Sequence, residues 1–298
     1  MGNLCSSDIA HVADTKDKEN IVKEDVDVKP AGEGENASVP IEKASAGETA
    51  ENETDEAVKT GTTSDAVEEE HTSDVLLWAM PISANSATIR CFLKACDVEF
   101  LEKNAYGVTR TSAYIDKFPT NLSPAIEHDG KYVTECSAIL RYLARAYPKE
   151  ASRFYDEKDL ESVTKIDWLL EHANTGILAQ LPKAVYPTLG FPLYPGDCAM
   201  LESTKEHTPE AMKEAAQYIK KAIDEKYCGI FLKETTFLMS NTATIADFRF
   251  APMINFIKVA FKIPVRLQKY YDEMELIRGF KDGCAPLVEY TSPKWAAK

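Results

Sequence analysis

Apolar positions are sparse and scattered over the first quarter of this chain, and then gather into short periodic runs. Val75 to Ala79 form a continuous apolar stretch suited to a buried strand, followed by the loop Met80-Pro81-Ile82-Ser83-Ala84-Asn85. A helix is expected from about Ser86 to Ala95, with Ile89, Phe92 and Leu93 on its apolar face and Arg90 and Lys94 elsewhere on its surface. Val98 to Leu101 reads as a second strand, and Ser112 to Phe118 as a short helix.

From Ser123 to Leu143 the pattern becomes more specific. Pro124 follows a loop and precedes Ala125 and Ile126 at a strand edge, where a cis peptide bond is expected. Asp129-Gly130 supplies two residues that tolerate positive φ in a tight hairpin, and Tyr132 to Thr134 supply the returning strand. A helix follows, with Ile139, Leu140 and Leu143 on one face and a break at Pro148. Its first turn, at Glu135, Cys136 and Ser137, leaves backbone N–H groups unpaired at the positive end of the helix dipole, a place for a ligand carboxylate. The same residues also read as an ordinary hairpin and helix with no ligand.

The C-terminal half carries helical periodicity. Val163, Ile166, Leu169 and Leu170 form one apolar set, and Met212, Ala216, Ile219 and Ile223 another, both read as core. Between them Pro182 to Pro195, with Tyr186, Phe191 and Tyr194, reads as an irregular segment near a domain cleft. In Thr244-Ile245-Ala246-Asp247-Phe248 the threonine and aspartate have the spacing of a capping box opening a core helix through Phe250 and Ile254.

Charge separates the first segment from the rest. Residues 1–74 hold 6 Lys against 20 Asp or Glu and no aromatic residue, so they carry the whole net charge of −14, while the other 224 residues hold 28 of each sign. With Leu4, Ile9, Ile21 and Ile41 as its only Leu or Ile residues, this acidic tail cannot bury enough apolar surface to offset the entropy of ordering and is expected to be disordered. Its acidity argues against nucleic acid as a partner.

Met1-Gly2-Asn3-Leu4-Cys5-Ser6 fits an N-myristoylation signal on Gly2. One acyl chain binds a bilayer only marginally, and no polybasic cluster follows, so Cys5 is the expected palmitoylation site that makes the anchor stable. No apolar run is long enough for a secretory signal or a membrane span. The seven cysteines form no C-x-x-C pair and show no zinc spacing, so free thiols in a reducing compartment and no metal site are expected. These features place the chain on the cytoplasmic face of a cellular membrane, plasma or flagellar, with a cytosolic fraction.

Four motifs occur in an order that resembles the cytosolic glutathione transferases: SANSATIR at Ser83 to Arg90, SPAIE at Ser123 to Glu127, TECSAILRYLA at Thr134 to Ala144, and TIADF at Thr244 to Phe248. Trp168 and His172-Ala173-Asn174 are similar to the theta class, and Lys117-Phe118-Pro119 to the transferase-like domain of the elongation factor one B gamma subunit. The resemblance implies an α/β thioredoxin-like domain over 75–149 that binds glutathione and an all-α domain over 155–298, preceded by the acidic acylated tail over 1–74. It implies no bound cofactor, with glutathione as cosubstrate, a hydrophobic electrophile as second substrate and a homodimer as the usual assembly.

Such an enzyme must favour thiolate. Ser83 is the expected hydroxyl donor to the glutathione sulfur, Asn85 a further donor, and Ser86 the runner-up donor or the helix N-cap. Ser123, Pro124, Glu135 and Cys136 are expected to line the rest of the glutathione site. Two departures from the family pattern bear on affinity: Cys136 stands where a serine hydroxyl would meet the γ-glutamyl carboxylate, and Leu122 precedes Ser123 where many members have a lysine, which Arg110 would have to replace. A catalytic Cys91 or Cys96 would instead imply glutaredoxin-like mixed-disulfide chemistry, against which their places within or at the end of the expected helix argue. The leading expectation is a membrane-tethered transferase that conjugates hydrophobic electrophiles or reduces lipid peroxides. The alternatives are a catalytically weak interaction module at a membrane and a carrier of apolar ligands.

Overall fold

The computed structural model describes residues 74–190 and 208–296. Gly2 and Cys5, the expected acyl sites, with the rest of the acidic tail before Asp74, and Phe191, Tyr194 and Cys198 lie outside the described residues.

Strand β1 (Val75–Ala79) pairs in parallel with β2 (Phe100–Asn104) and antiparallel with β3 (Ala125–His128), which pairs antiparallel with β4 (Lys131–Thr134). The four-stranded order is β2-β1-β3-β4. Helix α1 (Ala84–Ala95) makes the crossover from β1 to β2, α2 (Ser112–Ile115) follows β2, and α3 (Cys136–Ala146) follows β4. The β3–β4 turn is the one expected from its residues, with Asp129 at φ 50° and Gly130 at φ 69°. The Ser123-Pro124 peptide bond is cis, also as expected.

The helical part comprises α4 (Pro148–Ala151), α5 (Leu160–His172), α6 (Leu181–Leu189), α7 (Pro209–Ala222), α8 (Ile245–Phe250), α9 (Ile254–Ala260), α10 (Val265–Glu275) and α11 (Phe280–Thr291). Both α5 and α7 run on into wider π-helical segments, Ala173–Leu178 and Ile223–Phe231. This arrangement is the glutathione transferase fold: a thioredoxin-like α/β half and a helical half.

Several boundaries differ from the sequence expectation, each for a local reason. Helix α1 begins at Ala84, two residues early, because Ser83 rather than Ser86 caps it. Strand β2 begins at Phe100 because Val98 belongs to the end of α1: Asp97 takes φ 58° and the Val98 N–H returns 3.0 Å to the Leu93 carbonyl. Helix α2 ends at Ile115, ahead of Pro119. The segment expected to be irregular is helical over Leu181–Leu189, because Pro182 sits in the first turn, where no N–H is needed, and Gly190 ends the helix at φ 76°. The core helix after Thr244 is interrupted by a 3₁₀ turn at Ala251–Met253, which contains Pro252.

Helix α1 is the centre of the molecule. Its apolar stripe is wider than Ile89, Phe92 and Leu93 suggest, for Ala84, Ala87, Cys91 and Ala95 are buried as well, and it packs against α3, α8 and α11. Arg90 corrects the expectation of a surface position. It is only 4% exposed, grips Glu102 of β2 at 2.7 and 2.9 Å, and donates to the Gly283 carbonyl of α11 at 2.9 Å. The two helices approach so closely there that a Cβ on Gly283 would lie 2.6 Å from Cys91 Sγ and 2.8 and 2.9 Å from the Cys91 backbone. Backbone atoms inside a packed helix cannot step aside, so Gly283→Ala is expected to cost about 1–3 kcal/mol. A denaturant midpoint unchanged from wild type would show that the helices can separate freely.

Candidate active site at one end of the sheet

The strand registers bring three loops together. Trp78 of β1 lies opposite Ala125 of β3, and Ala125 opposite Thr134 of β4. The loop after β1, the loop before β3 and the turn after β4 therefore leave the same end of the sheet. Those three segments carry Ser83 and Asn85, Ser123 and Pro124, and Glu135 and Cys136. The Ser123 hydroxyl donates 3.3 Å to the Trp78 carbonyl, which ties two of the loops directly.

Ser83 is the N-cap of α1. Its Oγ accepts the Ser86 N–H at 3.3 Å. A capping hydroxyl uses a lone pair, so its single proton remains free to donate, beside the positive end of a twelve-residue helix. Ser86, whose Oγ accepts the Met80 N–H at 3.0 Å, is wholly buried, so it is neither the helix cap nor a donor facing a ligand.

Asn85 has its side-chain oxygen occupied by Arg249 Nη1 at 2.9 Å. Its amide NH2 is thereby left as the free end of the group.

The start of α3 has no side-chain cap, and Glu135 before it stands at φ 68°, ψ 118°, a region that non-glycine residues occupy at a cost of about 1–3 kcal/mol. Strain of this kind is concentrated at ligand sites. The first-turn N–H groups that follow are the unpaired donors anticipated from the sequence. Cys136 is buried and its thiol points at the Asn85 carbonyl, 3.5 Å away, so it joins the two helix starts. Ser137 next to it accepts Asn174 Nδ2 at 3.0 Å through its hydroxyl oxygen and keeps its own proton.

Sequence reasoning missed Arg249, and with it the hydrogen bonds that join Asn174 and Ser137 to the site. Arg249 on α8 is 2% exposed and donates from Nε to Asn174 Oδ1 at 2.9 Å as well as to Asn85. Asn174 lies in the π-helical segment Ala173–Leu178. A chain of hydrogen bonds thus runs Ser137–Asn174–Arg249–Asn85, from the first turn of α3 to the first turn of α1. The available signal was an arginine between Phe248 and Phe250 in a helix otherwise built for the core.

The rim is less basic than the resemblance leads one to expect. Leu122 is 48% exposed, and Arg110 is exposed and forms no ion pair among the described residues. Lys117 is held by Glu127 at 2.9 Å.

Cys91 and Cys96 are buried, as their positions suggested. Burial pushes the Cys91 thiol well up and the Cys96 thiol up to about 12, so neither is poised as a thiolate. Among the described residues no group of His, Cys, Asp and Glu is placed to hold a metal ion.

Residues 73–145 match the family model of the glutathione S-transferase N-terminal domain. No curated protein matches the chain. Among solved structures, a theta class glutathione S-transferase from Xanthomonas axonopodis pv. citri with glutathione bound superposes with a TM-score of 0.59 at 16% identity, over 71% of this chain and 97% of that one. Human glutathione-S-transferase T1-1 gives a TM-score of 0.61 at 18% identity, over 73% and 91%. An epsilon-class enzyme from the housefly Musca domestica gives 0.59 at 18%, over 74% and 98%. These likenesses establish the fold.

Proposed function

We propose that this chain is a glutathione transferase in which Ser83 holds the thiol of glutathione as thiolate for attack on a hydrophobic electrophile. The observation that carries the reading is the convergence, at one end of the sheet, of a capping serine with a free proton, a serine before a cis proline and an uncapped helix start with a strained N-cap residue. The sulfur lies at the start of α1, the backbone of Ser123 meets the cysteinyl unit, and the first turn of α3 receives the γ-glutamyl carboxylate.

In the reaction the thiol proton leaves to solvent, the Ser83 O–H and the Asn85 NH2 donate to the resulting thiolate, and the sulfur lone pair forms the new bond to carbon as the leaving group departs. Serine is a hydrogen-bond donor here and forms no covalent intermediate. A free thiol has a pKa of about 8.5, and each unit of depression corresponds to about 1.4 kcal/mol of preference for thiolate. One charge-assisted hydrogen bond, at about 1.5–3 kcal/mol, supplies one to two units.

Gly2 and Cys5 would hold this enzyme at a membrane surface, where apolar electrophiles and lipid peroxides concentrate. The support is the MGNLCS signal alone. Among the described residues no helix is long and apolar enough to cross a bilayer.

The test is calorimetric titration of reduced glutathione into the full chain, with conjugation to a general aryl halide as the activity. Saturable binding and turnover are expected. Absence of binding at millimolar glutathione would favour a second reading, a transferase-like interaction module, which the exposed Leu122 and the inward-turned Cys136 thiol support.

A further inference from the structure

Arg249 is a full positive charge sealed inside the protein. Buried guanidinium groups are ordinarily matched by a carboxylate, because desolvating an unpaired charge is costly. Arg249 has no such partner: among the described residues no carboxylate lies within ion-pairing distance, and its acceptors are the amide oxygens of Asn85 and Asn174. Those two bonds use two of the five guanidinium protons. The groups around it are neutral or turned elsewhere. Asp247, its near neighbour on α8, spends its carboxylate on Thr244 and Leu238. Cys136 of α3 and Tyr227 of the second π-helical segment both face the charge, burial raising each group's pKa and Arg249 opposing that rise. His172 is engaged with the Tyr227 hydroxyl at 3.4 Å, and Glu135, at the cap of α3, is exposed.

The unmatched charge lies behind the starts of α1 and α3, the two places where the proposed ligand would bring its thiolate and its γ-glutamyl carboxylate. We propose that Arg249 is the internal counter-charge of the glutathione site and its positioning residue, its missing anion being supplied by the bound thiolate. It acts in two ways. Its grip on Asn85 Oδ1 turns the Asn85 NH2 outward as a donor for the sulfur. Its field, carried through a medium of low polarity, favours the ionised thiol without contact. Through Asn174 it also steadies the Ser137 hydroxyl at the carboxylate end, so the two ends of the ligand are felt by one group. This inference rests on the transferase reading above and adds to it a residue from the helical half.

The experiment measures the apparent pKa of the bound thiol from the pH dependence of thiolate absorbance in the full chain saturated with glutathione, together with thermal melting. Arg249→Met removes the charge, and Arg249→Lys keeps it while losing the two-point grip. Asn174→Asp leaves the arginine in place but gives it a carboxylate, so that folding is preserved while the charge is neutralised. Arg249→Met and Asn174→Asp are each expected to raise the bound thiol pKa by about one unit, a loss of thiolate of about three- to eightfold at pH 7. Arg249→Lys is expected to stay closer to wild type than either. A bound thiol pKa unchanged in Asn174→Asp, or in a folded Arg249→Met protein that merely melts earlier, would overturn the proposal while leaving the transferase reading standing. A wild-type chain that takes up no glutathione would remove both.

Discussion

Replacing Ser83 with alanine is expected to lower conjugation of glutathione about 8- to 25-fold at pH 7, with little change in glutathione affinity. The estimate follows from one charge-assisted hydrogen bond to the thiolate, worth about 1.5–3 kcal/mol. The interaction forms with the ionised sulfur and scarcely with the neutral thiol, so the loss falls on the fraction ionised and the plot of rate against pH moves upward by one to two units. Alanine also removes the cap on α1, since Ser83 Oγ accepts the Ser86 N–H, and this alone costs about 1 kcal/mol of stability. Ser83→Gly separates the two effects, because glycine is a fair N-cap with no hydroxyl. It is expected to lose as much activity as alanine while keeping most of the stability. If the glycine variant turned over at the wild-type rate, the thiol would be activated by something other than Ser83.

The largest effect on stability is expected at Asp247. Its carboxylate accepts the Leu238 N–H at 3.0 Å, the Thr244 N–H at 2.7 Å and the Thr244 hydroxyl at 3.0 Å, all in a buried setting. The capping box expected from the sequence is present and its carboxylate has become a hub that also fastens the preceding loop. Asp247→Ala leaves these donors without acceptors, at about 1–3 kcal/mol each, and a total loss of about 3–5 kcal/mol is expected in urea unfolding. That is a large share of the roughly 5–15 kcal/mol by which a domain is usually stable.

The pH dependence of the same group has a definite sign. Burial raises the Asp247 carboxyl from 3.8 to about 6, against the pull of its hydrogen bonds. The folded protein therefore holds this proton more tightly than the unfolded chain. The contribution is fully present below about pH 4, is lost as pH rises to about 6, and is constant beyond. Asp247→Asn, which cannot ionise, should flatten that part of the stability profile. Equal slopes for wild type and the asparagine variant between those limits would contradict the assignment.

The parts of the site legible in the sequence were those built from neighbours. A proline after a loop, an Asp-Gly turn and a threonine three residues before an aspartate each act within a few positions, and the structure has all three features, whereas the cap of α1 is Ser83 and not the expected Ser86. What escaped was built across long separations. Asn85 and Arg249 stand 164 residues apart, Asn174 and Arg249 75, and Ser137 and Asn174 37. No periodicity announces that an arginine in one helix will meet an asparagine in another. Arg90 was misplaced for a related reason, since a charge beside an apolar stripe reads as surface unless its partner, here Glu102 on the adjacent strand, is already known to sit opposite. The prolines of α6 misled in the other direction: they punctuate most helices, but one at the first turn has no N–H to lose.

Helix α1 has one further consequence. An element covered on one side by its own sheet and on the other by α8 and α11 belongs equally to both halves, and the halves share a single core. The boundary near residue 150 is therefore a seam in the order of the chain and not a plane of weakness. Cutting there would strip apolar surface from α1 and strand the Arg90 guanidinium without the Gly283 carbonyl, leaving a thioredoxin-like half insoluble by itself. The described body is therefore expected to unfold in one cooperative transition, with coincident loss of near- and far-UV circular dichroism.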